Sequence, residues 1–363
     1  MIIKIIDRQI IKNFISTVVF SLIALYVIFL VVNLIENLDD FMAAKMPKET
    51  ILRYYMLYFP EIIKLLLPIS VLLSSLFTIG KMSNSNEITA LKSGGVSIVR
   101  ILVPIMLISI TISIGSVYFN GWVVPKVNKE KIEIESTYLK KNIKSNSMFN
   151  LYFRDKENNI ISMQSYNSTE SKGYNVSLEK FSGYTNPRLL ERVEAEIVVW
   201  DTINNNWLMK SGIKREIIAK DNIIITRFDS LNIKIDLTNQ QLSKLNINAK
   251  EMNFQEYKDY IETLKIGGKD IRRDLTDYYG QWAYPFASII VVLFAVPFAS
   301  VKKKGGTAVQ VAAALVITFA YLIFTKVGQV VGYNSNFNPI IAGWFANIAF
   351  FVFGIIVLFR TRS

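Results

Sequence analysis

The residue types that do most side-chain chemistry are missing from this chain. Its 363 residues include no histidine and no cysteine, which excludes imidazole bases, thiolate nucleophiles, disulfides and His- or Cys-ligated metals. An enzyme built inside an apolar region would then need a carboxylate dyad or a Ser–Lys pair. Glu61 with Lys64 is the nearest acid–base pairing, and a salt bridge at an interface explains it more simply. Lys64 and Lys326 are also notable as ionisable groups within apolar runs. Such groups mark a ligand or an ion path, or else snorkel their ammonium to the interface. A last candidate is the segment Lys81–Ser97, in which Glu87 follows Asn84, Ser85 and Asn86 and precedes Ile88, Leu91 and Lys92. The chain has no G-x-x-x-x-G-K-S/T phosphate loop, and Gly94-Gly95 and Gly305-Gly306 read as turns, so any nucleotide energy must come from another chain.

The elements that carry these residues are apolar spans gathered at the two ends of the chain. We read spans at Phe14–Ile35, Ile62–Gly80, Val99–Trp122, Trp282–Val301, Ala308–Val331 and Ile340–Phe359. Each is long enough to cross a hydrocarbon layer of about 30 Å. The second begins earlier as an amphipathic helix near Glu49–Ile51, because Ile51, Tyr54, Tyr55 and Tyr58 recur at helical spacing. Pro68, Pro104, Pro285 and Pro297 fall within or at the ends of spans, where neighbouring helices re-satisfy the backbone. The N-terminal run lacks a small-residue cleavage signature and reads as a retained span.

Short-loop Lys and Arg set the expected orientation. With the N-terminus in the cytoplasm, Lys4, Arg8, Lys12, Lys81, Lys92, Arg100, Lys302, Lys303, Lys304, Arg360 and Arg362 all face that side. The opposite short loops carry Lys45 and Lys48 against Glu36, Asp39, Asp40 and Glu49, or no charge in Gly332–Pro339. Residues Val123–Tyr279 then lie outside the cytoplasm. The net charge of +12 is spread over short loops and the middle segment, without the basic stripe and interleaved aromatics of a nucleic-acid site.

Between about Ser147 and Leu237 short apolar–polar runs alternate: Met148–Phe153, Ile160–Met163, Tyr174–Leu178, Glu194–Trp200, Trp207–Met209, Ile213–Ile218, Ile223–Phe228 and Leu231–Ile235. Breaks at Asp155–Asn159, Asn167–Gly173, Thr185–Pro187, Asn204–Asn206 and Asp229–Ser230 suit turns. The pattern predicts an antiparallel sandwich or roll, whose open edges offer strands to a partner or simply bound a spacer domain. A helix is expected at Phe254–Ile266, stopped by Gly267-Gly268. In the elbow, Asn84, Ser85 or Asn86 would cap a short helix that Gly94-Gly95 ends, with Ile88 and Leu91 on one face. It is either a plain connector or the handle by which an ATPase grips a membrane subunit.

The elbow Asn86-Glu-Ile-Thr-Ala-Leu-Lys-Ser-Gly-Gly-Val-Ser97 resembles that of the LptF/LptG (YjgP/YjgQ) lipopolysaccharide-export permease family. Ile6-Asp7-Arg8 is similar to the family's opening, with Gln9 in place of its Tyr. Trp122-Val-Val-Pro125, Met252–Glu256 through Tyr260–Lys265 with Gly268–Asp270, and Asn338-Pro-Ile-Ile341 resemble it in order, and the opening and the segment before the fourth span lean toward the LptG member. The resemblance implies six transmembrane α-helices in two three-helix halves with a periplasmic β-jellyroll between helices 3 and 4. On that layout residues 1–122 hold helices 1–3 with a coupling helix near 84–95, 123–250 the jellyroll, 251–281 a helical linker and 282–363 helices 4–6.

The function so implied is a subunit of an inner-membrane ABC exporter with no cofactor of its own. ATP and Mg would be held by an LptB-like ATPase dimer, beside an LptF-like sibling, with LptC-like and LptA-like jellyrolls receiving lipopolysaccharide. Glu87, Ile88, Leu91 and Lys92 would couple to the ATPase. Lys64 and Lys326 would meet lipid A phosphates at the outer leaflet, with Lys126, Lys129 and Lys131 as a basic rim. The family's basic residues at the outer end of span 1 are replaced here by Asn33, Glu36, Asp39 and Asp40, so either the lipid differs or the sibling supplies the cations. Lipoprotein-release and FtsX-type subunits carry four spans with the outside domain after the first, unlike this chain. A passive scaffold is the remaining alternative.

Overall fold

The computed structural model describes residues 5–139, 147–155, 158–182, 187–219, 222–235, 237–245, 247–301, 306–334 and 337–360. Lys4, Lys302–Lys304, Gly305 and Arg362, counted above for orientation or turns, lie outside them. The chain forms two compact units, residues 1–141 with 272–363, and residues 142–271.

In the first unit, α1 (Ile5–Ala43) and α2 (Lys48–Asn84) are followed by the short α3 (Glu87–Ser93). Next come α4 (Ile98–Tyr118), a π-turn (Phe119–Val123) and α5 (Val124–Tyr138), which run on as one helix. After the second unit, α8 (Arg272–Ala283) passes through a 3-10 turn at Tyr284–Phe286 into α9 (Ala287–Ala299). Then come α10 (Gly306–Asn334) and α11 (Pro339–Arg360). Six of these helical stretches are long and apolar enough to cross a membrane, and each expected span falls on one of them. The third continues 16 residues past Trp122, and the π-turn at Phe119–Val123 stands just before Pro125, which has no N–H for the regular ladder.

At Pro285 the helix from α8 into α9 tightens to a 3-10 turn, and side chains bond carbonyls of this stretch. Ser113 donates to the Pro285 carbonyl at 2.8 Å and Asn347 to that of Ala283 at 2.6 Å, while Tyr321 donates to Asn347 at 2.9 Å. Close helix crossings use glycine. A Cβ on Gly343 of α11 would lie 2.7 Å from the Gly280 nitrogen of α8, so only glycine lets these backbones approach. The main apolar core combines Ile10, Phe14, Leu76, Ile79, Ile88, Ile105, Val292 and Ala295.

The second unit holds six antiparallel strands: β1 (Ser147–Asp155), β2 (Asn159–Asn167), β3 (Lys172–Phe181), β4 (Leu189–Asp201), β5 (Asn206–Ala219) and β6 (Asn222–Ile233). They pair in sequence order as a meander. The expected inserted antiparallel β domain is therefore present, and the Greek-key crossing of a strict jellyroll is not among the described pairings. Asp201 closes the β4–β5 turn, accepting from the Asn204 amide at 2.8 Å and the Ile203 N–H at 2.9 Å. Those bonds hold its carboxyl below the usual range.

One row crosses the whole sheet out of pattern. Asn150, Gln164, Asn175, Glu196, Ser211 and Asp229 occupy matching register positions and are all exposed, and each of the five ladders skips that row. On alternate strands its residue is left-handed, with φ of 52° at Asn150, 49° at Asn175 and 53° at Ser211. Inward residues elsewhere repeat every second position, but across this row they step by three: Met148 to Leu151, Met163 to Tyr166, Ala195 to Val198, Phe228 to Leu231. All six strands are creased along one line, and both halves keep apolar residues on the inner side. Phase loss at the crease makes β5 and β6 each look like two strands in the sequence. At Gly212 a Cβ would sit 2.3 Å from both the Glu194 carbonyl oxygen and the Phe228 ring, so the crease closes tightly there.

The core under the sheet centres on Trp207, Met209, Ile161, Met163 and Val198, and Trp207 donates to the Leu237 carbonyl at 2.8 Å. Two capped helices follow the strands. Thr238 and Gln241 cap α6 (Asn239–Lys244), and Asn253 and Glu256 cap α7 (Phe254–Ile266), in reciprocal capping boxes. The span of α7 coincides with the sequence expectation, with Gly268 left-handed just beyond it (φ 69°).

Candidate functional site: the elbow and the charged end of α2

The elbow is built as the sequence suggests, except at its N-cap. Asn86 precedes α3 in a left-handed conformation (φ 59°) and its side chain makes no cap bond, so the chain turns sharply before Glu87. At the other end Gly95 is left-handed (φ 82°), and the Val96 N–H reaches back to the Leu91 carbonyl at 2.9 Å. Ser97 then caps α4 by accepting from the Arg100 N–H at 3.3 Å.

Glu87 and Lys92 are exposed. Ile88 is turned away from the side where a partner contact was expected: it is 1% exposed and packs into the bundle core. It therefore fixes α3 to its own helices. Leu91 is half-buried and, with Ile6, Gln9, Ile10, Met82, Glu87 and Ala90, lines a cavity of about 310 Å³. Among the described residues of that lining Glu87 is the sole ionisable one, and Gln9 is the other polar side chain.

Behind the elbow a charged pair joins two helix starts. Arg100 Nη2 donates to Asp7 Oδ2 at 2.6 Å, with the Asp7 side chain 7% exposed and that of Arg100 33%. The second guanidinium nitrogen, Nη1, is buried without a hydrogen-bond partner among the described residues. Asp7 and Arg100 are 93 residues apart, and no local spacing announces the pair.

The candidate lysines have different surroundings. Lys131 is buried rather than part of an open rim: its ammonium bonds Glu61, lies 3.7 Å from Glu135 and sits 4.4 Å above the Tyr58 ring. Tyr54 completes the group by donating to Glu135 at 3.2 Å. This network joins α2 to α5 beside the aromatic cluster of Phe41, Tyr54 and Tyr55. Glu61, paired in the sequence reading with Lys64, is thus engaged by Lys131. Lys64 is half-buried one turn further along α2, while Lys126 and Lys129 are exposed on α5. Lys326 is exposed on α10 and donates to Gln329 at 3.0 Å. Tyr26 and Phe29 pack on Phe59 and Tyr58, a helix-packing role.

Six membrane-length helices with a β domain inserted between the third and fourth define a multi-pass membrane protein with an inserted sheet domain. The sequence model of the family described as lipopolysaccharide export system permease LptF/LptG matches residues 8–360. The chain belongs to that family. Comparison with curated proteins gave no match.

Proposed function

We propose that this chain is one half of the membrane part of a lipopolysaccharide exporter of the inner membrane, driven by a separate ATPase with bound ATP and Mg. The elbow carries the proposal. A short helix is anchored to the bundle by Ile88, and it presents the Glu87 carboxylate beside a largely apolar cavity that Gln9 also lines. That is an anchored handle whose carboxylate is suited to a basic or hydroxyl group in an ATPase groove. Leu91 and Lys92 complete its outer surface.

Two crossings precede the elbow and three precede the β domain. With the N-terminus in the cytoplasm, the elbow faces the ATPase and the sheet faces the periplasm. Lys64 and Lys326 meet the phosphates of the lipid as point charges, and Lys126 and Lys129 add to the field above them. Terminal strands of the sheet offer pairing edges to LptC-like and LptA-like proteins. Edge strand β6 supports this, because Ile223, Ile224 and Ile225 are exposed along it. An LptF-like sibling completes the cavity.

The test is to pull the tagged protein from detergent-solubilised native membranes and identify what is retained. We expect an ATPase, a second six-span chain and lipopolysaccharide. Recovery without any ATPase would reduce the elbow to a connector. In the same preparation, Lys64→Gln with Lys326→Gln should lower lipopolysaccharide crosslinking, and undiminished crosslinking would remove both from the substrate path.

A further inference from the structure

We propose that Asp7 and Arg100 are a positioning pair that passes movement of the elbow to the first span. This rests on the exporter function above. Arg100 lies in the first turn of α4, three residues beyond the Ser97 cap and five beyond Gly95, so it moves with the exit of the elbow. Asp7 lies in the first turn of α1. Their bond is the charged link between those two helix starts, and it sits in a poorly solvated place where such a bond is strong.

Helix electrostatics do not account for Arg100. A cation at a helix N-terminus opposes the dipole, and α4 already has its Ser97 cap. The residue makes sense through Asp7. Because Nη2 alone is bonded among the described residues, the guanidinium is held there at one point rather than as a two-pronged fork. A single-point bond tolerates rotation as the elbow tilts and still transmits a pull.

The helix at the other end of the link is packed into the core at its start. Buried residues of α1 lie at Asp7, Ile10, Phe14, Val18 and Ser21 and again at Phe41 near its far end, whereas Phe20, Ile23, Val27 and Ile28 are exposed. Ile10 shares the core with Ile88 of the elbow. A push on α3 therefore reaches the start of α1 through apolar packing and through the ion pair together.

The experiment uses the full complex with its ATPase and sibling in lipid bilayers. It compares wild type with Asp7→Asn, Arg100→Gln, Arg100→Lys and the exchange Asp7→Arg with Arg100→Asp. Lipopolysaccharide released per ATP hydrolysed is measured alongside the ATPase that copurifies. Loss of a coupling free energy of ordinary size predicts a fall of about fivefold or more in that ratio for the two neutral variants. Copurified ATPase should hold at wild-type amount, and Arg100→Lys and the exchange should restore much of the ratio. An unchanged ratio in both neutral variants, or a loss that merely follows complex yield without rescue, overturns the coupling role. Wild-type complex that retains no ATPase or releases no lipopolysaccharide overturns the exporter function itself, and the coupling role with it.

Discussion

Lys131 shows how much a single side chain's surroundings decide. On the sequence it belongs with Lys126 and Lys129 as a cation near the end of a span. In the structure it is the buried centre of a group containing Glu61, Glu135, Tyr54 and Tyr58. Removing it takes the cation from two carboxylates that are largely out of water. We expect Lys131→Met to destabilise the bundle by about 3–5 kcal/mol, the usual cost of breaking one side of a buried pair. Arg53→Met, which breaks the exposed Arg53–Glu130 contact, should cost no more than about 1 kcal/mol. Thermal unfolding in detergent separates the two, and equal midpoints would refute the contrast. The network was not legible in advance because Glu61 is 70 residues from Lys131 and only the fold brings them together. Glu87 is the opposite case. Its place between a sharp turn and a glycine stop could be read locally, and the structure leaves it exposed. We expect Glu87→Ala to fold and bind lipid normally while ATP hydrolysis no longer drives export. Wild-type export by the variant would argue against a coupling role.

At the level of elements, legibility follows the strength of the constraint. A membrane demands about 20 apolar residues per span, and all six spans could be read from that demand alone. Where the constraint comes from a neighbouring element, the sequence is silent. Gly343 reads as an ordinary residue of an apolar run until α8 is seen against α11. Gly343→Ala places its new carbon 2.7 Å from the Gly280 nitrogen, backbone that cannot swing aside. We expect a loss of about 1–3 kcal/mol for such overpacking, measured as a lowered unfolding midpoint. Gly115→Ala serves as the control, since a Cβ there meets nothing within 4 Å. Helix propensity alone would raise the midpoint of both variants, so an equal fall for both would show that the crossing does not govern the effect. The continuation of α4 into α5 escaped the sequence for a related reason. Hydropathy falls after Trp122, yet α5 still packs on α2 through Ile134 and Tyr138.

The whole molecule alternates between two solvents. Its first unit is assembled from both ends of the chain, and its second is a single insertion between α5 and α8 with its own core. This division explains why the split in composition revealed the architecture before any fold was known. It also makes sidedness testable, because the chain has no cysteine. Thr89→Cys in α3 and Thr169→Cys in the β2–β3 turn are both exposed positions. We expect an impermeant thiol reagent to label only Thr169→Cys in spheroplasts and only Thr89→Cys in inverted vesicles. Labelling of both from one side would break the proposed topology.

The crease across the sheet restricts how this domain can change in length. Each strand carries its irregular residue at the same register position, so the six act like lines of text sharing one hyphen. Deleting Asn175 from β3 alone would leave everything before it one place short of its partners on β2 and β4. A whole hairpin can be gained or lost without that penalty, since it brings its own two irregular residues already aligned. Length variation among domains of this design should therefore come in pairs of strands, with the crease unmoved.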